Sequence, residues 1–182
     1  MTDREAERLA PAVERFVLHW GEMGARWGLN RTVAQLHALL FVSSRPLTAE
    51  AMAETLGVAR SNVSTSLREL AAWGLVRVVH VLGDRRDHFQ AEQDVWAMFQ
   101  LILEARKRRE VDPTLALLRE CVEEGRSSRL DREAQERLGE LLGFFEMMTR
   151  WYEQVRRLPR PTLAKVIRMG DRVTRLLDGG SR

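Results

Sequence analysis

The run from Leu47 to Ala91 constrains the fold more than any other part of the chain. It sets a short helix, a glycine stop, a second helix, another glycine stop and a basic hairpin in uninterrupted order. From Leu47 to Leu56, Ala49, Met52, Ala53 and Leu56 share one helical face, and Thr48 is placed to cap the first turn. Gly57 then ends the helix in the left-handed conformation that glycine adopts at least cost. A second helix is expected from about Arg60 to Trp73, with Val63, Leu67, Leu70 and Ala71 as its apolar stripe and Gly74 as its stop.

At 100° per residue, the opposite face of that second helix carries Ser61, Thr65, Arg68 and Ala72, with Asn62 and Ser64 on its flanks. Its first turns hold almost no acid. Short hydrogen-bonding side chains with Arg are the types that contact phosphates and base edges in a major groove. After Gly74, Leu75 to Val81 is rich in β-branched residues, Leu82 to Asp87 reads as a turn, and His88 to Ala91 as a return strand. The tip of this hairpin brings Arg85 and Arg86 together, as a wing that tracks the phosphate backbone or enters the minor groove requires. Two helices around a Gly turn also occur in many helical proteins, so the helix pair alone is a weak signal. The polar helix followed at once by a basic hairpin is what favours DNA. The alternative is a winged-helix scaffold for protein contacts, which needs neither Arg68 nor Arg85 and Arg86.

Several segments together resemble the GbsR branch of the MarR superfamily of winged-helix regulators. They are Arg31 to Leu40, Leu47 to Leu56, Arg60-Ser61-Asn62-Val63-Ser64-Thr65-Ser66-Leu67-Arg68-Glu69-Leu70, Trp73 to Val76, and Gly83-Asp84-Arg85-Arg86-Asp87-His88-Phe89. The resemblance spans roughly residues 10 to 91. It implies a homodimeric transcription factor, usually a repressor, on a pseudo-palindromic operator. It further implies that Arg60, Ser61, Asn62, Ser64, Thr65 and Arg68 contact double-stranded DNA from the helix, and Arg85 and Arg86 from the wing. Related proteins often carry Ser where Ala59 stands, so the cap of the recognition helix is expected to shift to Ser61.

The expected fold class is mainly α with a small β wing: a winged helix-turn-helix domain plus a helical dimerisation region. Residues 1–28 form an N-terminal dimerisation helix, 29–91 the winged domain, and 92–182 a helical dimerisation and effector region. In the first of these, Ala6, Leu9, Ala10, Val13, Phe16, Val17 and Trp20 recur at helical spacing, with Pro11 either in the first turn or at a kink. Asn30 to Val42 is the next helix, and Ser44-Arg45-Pro46 a loop. Past the wing, Val95 to Arg109 reads as a helix whose closing Arg106-Lys107-Arg108-Arg109 cluster complements the helix dipole. Asp112-Pro113 begins another helix, and Gly125 to Ser128 a joint.

From Asp131 to Leu158 the apolar residues Ala134, Leu138, Leu141, Phe145, Met148, Tyr152 and Val155 follow a heptad seam. Leu138, Leu141, Phe145, Met148, Tyr152 and Val155 are therefore the expected dimer interface. Leu142, Phe144 and Trp151 widen it beyond a two-stranded stripe. A last helix after Pro161 would present Leu163, Val166, Ile167, Val173 and Leu177. A dimer also has a physical motive, since two reading heads held about 34 Å apart match a palindrome.

Composition sets the remaining limits. With a net charge of +3 over 182 residues, DNA binding is permitted but not demanded. From Val58 to Ala91 five Arg face three acids, so affinity must come from placement more than bulk charge. The charged opening, Thr2 to Arg8, does not read as a signal peptide, and no apolar run approaches the ~20 residues needed to span a bilayer. A cytoplasmic protein without a membrane partner is expected. The single Cys121 excludes an internal disulfide and reads as a small buried hydrophobe rather than a redox sensor. His19, His37, His80 and His88 are scattered, no zinc spacing occurs, and no cofactor or metal is expected. No nucleophile-base pair or phosphate-cradling loop appears, which argues against an enzyme. Among the five tryptophans, Trp20, Trp27, Trp96 and Trp151 are candidates to line a site for a small-molecule effector. The GbsR resemblance suggests a quaternary ammonium held by cation–π attraction; the competing reading is that these rings fill the core.

Overall fold

A computed structural model of the chain describes residues 9–127, 131–165 and 169. Ala6, Val166, Ile167, Val173, Leu177 and the end of the expected joint at Ser128 lie outside the described residues. The chain divides after Leu103 into two compact units.

The first unit opens with α1 (Pro11–Arg26), in which Pro11 takes the first helical position, where its missing N–H leaves no bond unmade. Gly28 (φ 78°) closes the helix, with the Leu29 amide donating to the Gly24 carbonyl at 2.9 Å. α2 (Arg31–Val42) is capped by Asn30, whose side chain accepts from the Thr32 amide at 2.8 Å. α1 lies on α2 so closely that a Cβ on Gly24 would stand 2.5 Å from the Cβ of Ala34. A two-residue strand, β1 (Leu47–Thr48), precedes α3 (Ala49–Leu56) and α4 (Arg60–Ala72). Then come β2 (Val76–Val79) and β3 (His88–Ala91).

β1 is a finding that the sequence pattern did not announce. It is too short to show alternation, and Thr48 serves both as its second residue and as the α3 cap, accepting from the Ala51 amide at 3.2 Å. The sheet is antiparallel in the order β1-β3-β2, with Thr48 and Val79 both opposite His88. The wing is thus anchored to the start of α3 and not only to its own hairpin partner.

The core gathers Leu36, Leu39 and Leu40 from α2, Met52 from α3, Val63, Leu67 and Leu70 from α4, and Leu75 and Val76 leading into β2. On α4 the expected stripe is corrected at one position: Ala71 is exposed and Ser66 is buried in its place. The expected cap shift is also absent. α4 begins at Arg60 with Ala59 in the N-cap position, because the Asn62 and Val63 amides already bond the Ala59 carbonyl at 2.9 and 3.2 Å. Gly74 ends α4 at φ 75°, and a Cβ there would also meet Leu101 Cδ2 at 3.3 Å.

α5 (Val95–Arg106) begins in the first unit, where Met98 is buried in the core. It does not end at the basic cluster. A π-helical segment, Lys107–Val111, carries it into α6 (Asp112–Ser127), with Arg106 and Asp112 both in right-handed helical conformation. The reason lies in Pro113, which cannot donate to the carbonyl four residues back and whose ring crowds that carbonyl; the wider π turn absorbs the misfit. The Thr114 hydroxyl donates to the Glu110 carbonyl at 2.6 Å in the same turn. Instead of facing a helix end, Lys107 pairs with Asp112 at 2.8 Å and Arg106 with Glu110 at 3.4 Å.

In the second unit α6 packs on α7 (Arg132–Val155). Leu115 and Leu118 of α6 are buried, and Cys121 is half-buried. The Tyr152 hydroxyl donates to Glu104 at 3.2 Å and Arg119 bridges to Glu146 at 3.0 Å. The heptad positions of α7 separate onto two faces. Ala134, Leu138, Phe145, Tyr152 and Val155 are half-buried, whereas Leu141 and Met148 are exposed beside Phe144, Met147 and Trp151.

Candidate nucleic-acid interface

α4 turns its apolar side into the core, so the geometry of the helix alone presents its other side to solvent. Arg60, Ser61, Asn62, Ser64, Thr65 and Arg68 are all exposed there. No side chain caps α4, and with the Asn62 and Val63 amides bonded to the Ala59 carbonyl it is the Arg60 and Ser61 amides that stay open, at the end where the helix dipole favours negative charge. Arg68 is steadied on its own helix by a hydrogen bond to Thr65 Oγ1 at 3.2 Å, and this sets two of the expected contacts side by side.

The wing is built on Gly83 (φ 85°), and the Asp84 amide donates to the Val81 carbonyl across the turn at 3.1 Å. Asp84 then accepts from the Arg86 amide at 3.0 Å and from Arg86 Nε at 2.9 Å. These bonds hold the Asp84 carboxyl far below the ordinary carboxylate range and raise the Arg86 guanidinium above its usual value. His88, buried on β3, lies with Nδ1 3.0 Å from the Arg86 carbonyl and Nε2 3.5 Å from Asp84 Oδ2. Arg85 is exposed and makes no ion pair with any described residue. Of the two wing cations, one is therefore fixed in direction and the other extends freely.

Two further residues belong to this surface and escaped the sequence reading. Glu50 on α3 is 2.5 Å from Arg60 NH2, and Asp84 orients Arg86. The spacing Asp84-Arg85-Arg86 was a local signal for the second pair, whereas Glu50 and Arg60 meet only once α3 and α4 are docked.

The four tryptophans are placed separately. Trp20 is half-buried in a row of rings, 5.3 Å from Phe16 and 6.5 Å from His37, which in turn lies 6.2 Å from Phe41. Trp27 ends α1 and is exposed, Trp96 is exposed on α5, and Trp151 is exposed on α7. A cleft of about 370 Å³ in the first unit is walled by Leu9, Val13, Leu39, Val42 and Leu47 and rimmed by Arg45 and Glu54. None of the four tryptophans lines it. Among the described residues no helix is long and apolar enough to cross a membrane.

A helix-turn-helix with its second helix exposed, backed by a three-stranded sheet ending in a basic hairpin, defines a winged-helix protein. Residues 27–87 match the model of the MarR family. The chain is similar to two proteins of Bacillus subtilis (strain 168). One is YvaV, named as an HTH-type transcriptional regulator, 23% identical over 150 residues that cover 81% of this chain and 85% of that one. The other is the HTH-type transcriptional repressor OpcR, 24% identical over 136 residues, 72% of this chain and 74% of that one. A crystal structure of a transcriptional regulator shares the fold, with a TM-score of 0.63 at 20% identity over 79% of this chain and 95% of that chain.

Proposed function

We propose that the protein is a sequence-specific DNA-binding transcriptional regulator that acts as a homodimer on a pseudo-palindromic operator. The observation that carries this reading is the exposed set Arg60, Ser61, Asn62, Ser64, Thr65 and Arg68 on one helix, with Arg85 and Arg86 on the adjoining wing. The helix set supplies hydrogen bonds of the kind base edges accept and donate, and the wing supplies phosphate or minor-groove contacts. Assignment to the GbsR branch, repression and control by a small-molecule effector belong to the same reading. They are supported by the resemblance of residues 10 to 91 and by the similarity to OpcR, a transcriptional repressor.

The dimer is proposed to form through α7, whose exposed Leu141, Phe144, Met148 and Trp151 follow a 3-4-3 spacing about a quarter turn from the residues facing α6. That stripe includes Leu141 and Met148 of the expected seam, while Leu138, Phe145, Tyr152 and Val155 are partly spent on packing within the chain. Cytoplasmic action follows from the same reading.

The test is a salt-dependent titration of the upstream region of the protein's own gene against a scrambled duplex of equal length. A preference of about a thousandfold, with log affinity falling steeply against log salt, is expected for a specific regulator. Absence of binding to both at low salt, with the dimer intact, would favour the scaffold alternative.

A further inference from the structure

Arg60 is the first residue of α4, and its guanidinium does not stand free in front of a DNA groove. Its NH2 lies 2.5 Å from Oε1 of Glu50, in a pair whose side chains remain 69% and 41% exposed. The pair spans the turn between α3 and α4. The Glu50 carboxyl is held below its ordinary value first by the amide of its own residue, and also by Arg60, the Thr48 hydroxyl and Arg86. The same carboxylate therefore lies within electrostatic reach of the first cation of the recognition helix and of the clamped cation of the wing. An acid at the centre of a surface that must meet phosphates is costly to any duplex, because each phosphate taken by Arg60 leaves Glu50 facing negative charge.

Resting on the DNA-binding reading above, we propose that Glu50 is a selectivity residue: it withholds Arg60 from stray phosphates and yields it only where the rest of the interface is satisfied. An exposed pair like this one adds little to stability, so its consequence falls on binding. On a random duplex Arg60 stays with Glu50 and contributes no phosphate contact. On a matched site the base contacts of α4 hold the helix close enough for Arg60 to change partners.

The experiment is a set of anisotropy titrations of a labelled scrambled duplex at several salt concentrations, using the full-length protein, Glu50→Gln, Arg60→Ala and the double variant. Glu14→Gln, which removes the same charge from α1, controls for bulk charge. Freeing Arg60 adds one phosphate contact, so Glu50→Gln is expected to steepen the salt slope by about 0.9. Across a fourfold drop in salt its affinity should then gain about 3.5-fold more than the unmodified protein's. In the Arg60→Ala background the same substitution should leave the salt slope unchanged. An unchanged slope in Glu50→Gln, an equal steepening in the Arg60→Ala background, or an equal steepening from Glu14→Gln would overturn the proposal while leaving DNA binding in place. Failure of every variant to bind at low salt would overturn the DNA-binding reading, and the proposal with it.

Discussion

The carboxylate of Asp84 accepts hydrogen bonds from both the amide and the guanidinium of Arg86, so the wing carries its own clamp two residues before the cation it aims. Asp84→Asn raises the net charge of the wing by one, and bulk electrostatics would therefore tighten DNA binding. If the clamp is what matters, the loss of charge-assisted bonds costs more than the added charge gains. We expect Asp84→Asn to weaken operator binding by about threefold to tenfold, the size of one hydrogen bond in a pair screened by solvent. Tighter binding by this variant in a titration would show that Arg86 acts as a free charge.

Arg68 and Arg85 should separate by role. Arg85→Ala is expected to weaken matched and scrambled duplexes alike and to reduce the salt slope by about one, as for a phosphate contact. Arg68→Ala should cost roughly 1–3 kcal/mol on the matched site and little on the scrambled one. Equal losses on both duplexes for Arg68→Ala would remove it from base readout.

The exposed stripe of α7 predicts the assembly. Phe144→Glu combined with Trp151→Arg places charges on a surface that a dimer would dehydrate. Sedimentation should then report a monomer with helical content unchanged. A dimer of unaltered affinity would move the interface off α7.

His37 predicts an acid-sensitive fold. It is buried between Trp20 and Phe41, its Nε2 has no partner among the described residues, and burial lowers its pKa to about 4. Unfolding restores the ordinary value near 6.5, so between these two the unfolded chain binds the extra proton. Stability is complete above pH 6.5 and falls with pH toward 4, by about 3 kcal/mol at most over that window. Denaturant titrations at stepwise pH should show this slope, and His37→Phe should flatten it; a slope unchanged in that variant would assign the acid response to other groups.

Two glycines predict opposite signs for one chemical change. Gly24→Ala sets a methyl 2.5 Å from Ala34 Cβ and should destabilise the first unit by roughly 1–3 kcal/mol through overpacking. Gly139 lies in the body of α7 with nothing within 4 Å of an added Cβ, and Gly139→Ala should stabilise by roughly 0.5–1 kcal/mol. Thermal unfolding of the two variants reads both signs.

Local chemistry made much of this molecule legible in advance. Thr48, Gly57 and Gly74 mark helix ends by their own hydrogen-bonding or conformational preferences, and the 3.6-residue spacing of Val63, Leu67 and Leu70 orients α4 without reference to any other element. The exposure of Arg60, Ser61, Asn62, Ser64, Thr65 and Arg68 follows from that orientation. What the tertiary structure decided involves residues distant in sequence or patterns that satisfy two faces at once. β1 exists because β3 returns to pair with it, the Glu50 to Arg60 pair exists because α3 docks on α4, and Ser66 is buried where Ala71 was expected. The seam of α7 is the clearest case. A heptad repeat specifies that an apolar stripe will be covered, but only the packing of α6 shows which part of a wide stripe is covered within the chain and which part is left for another surface.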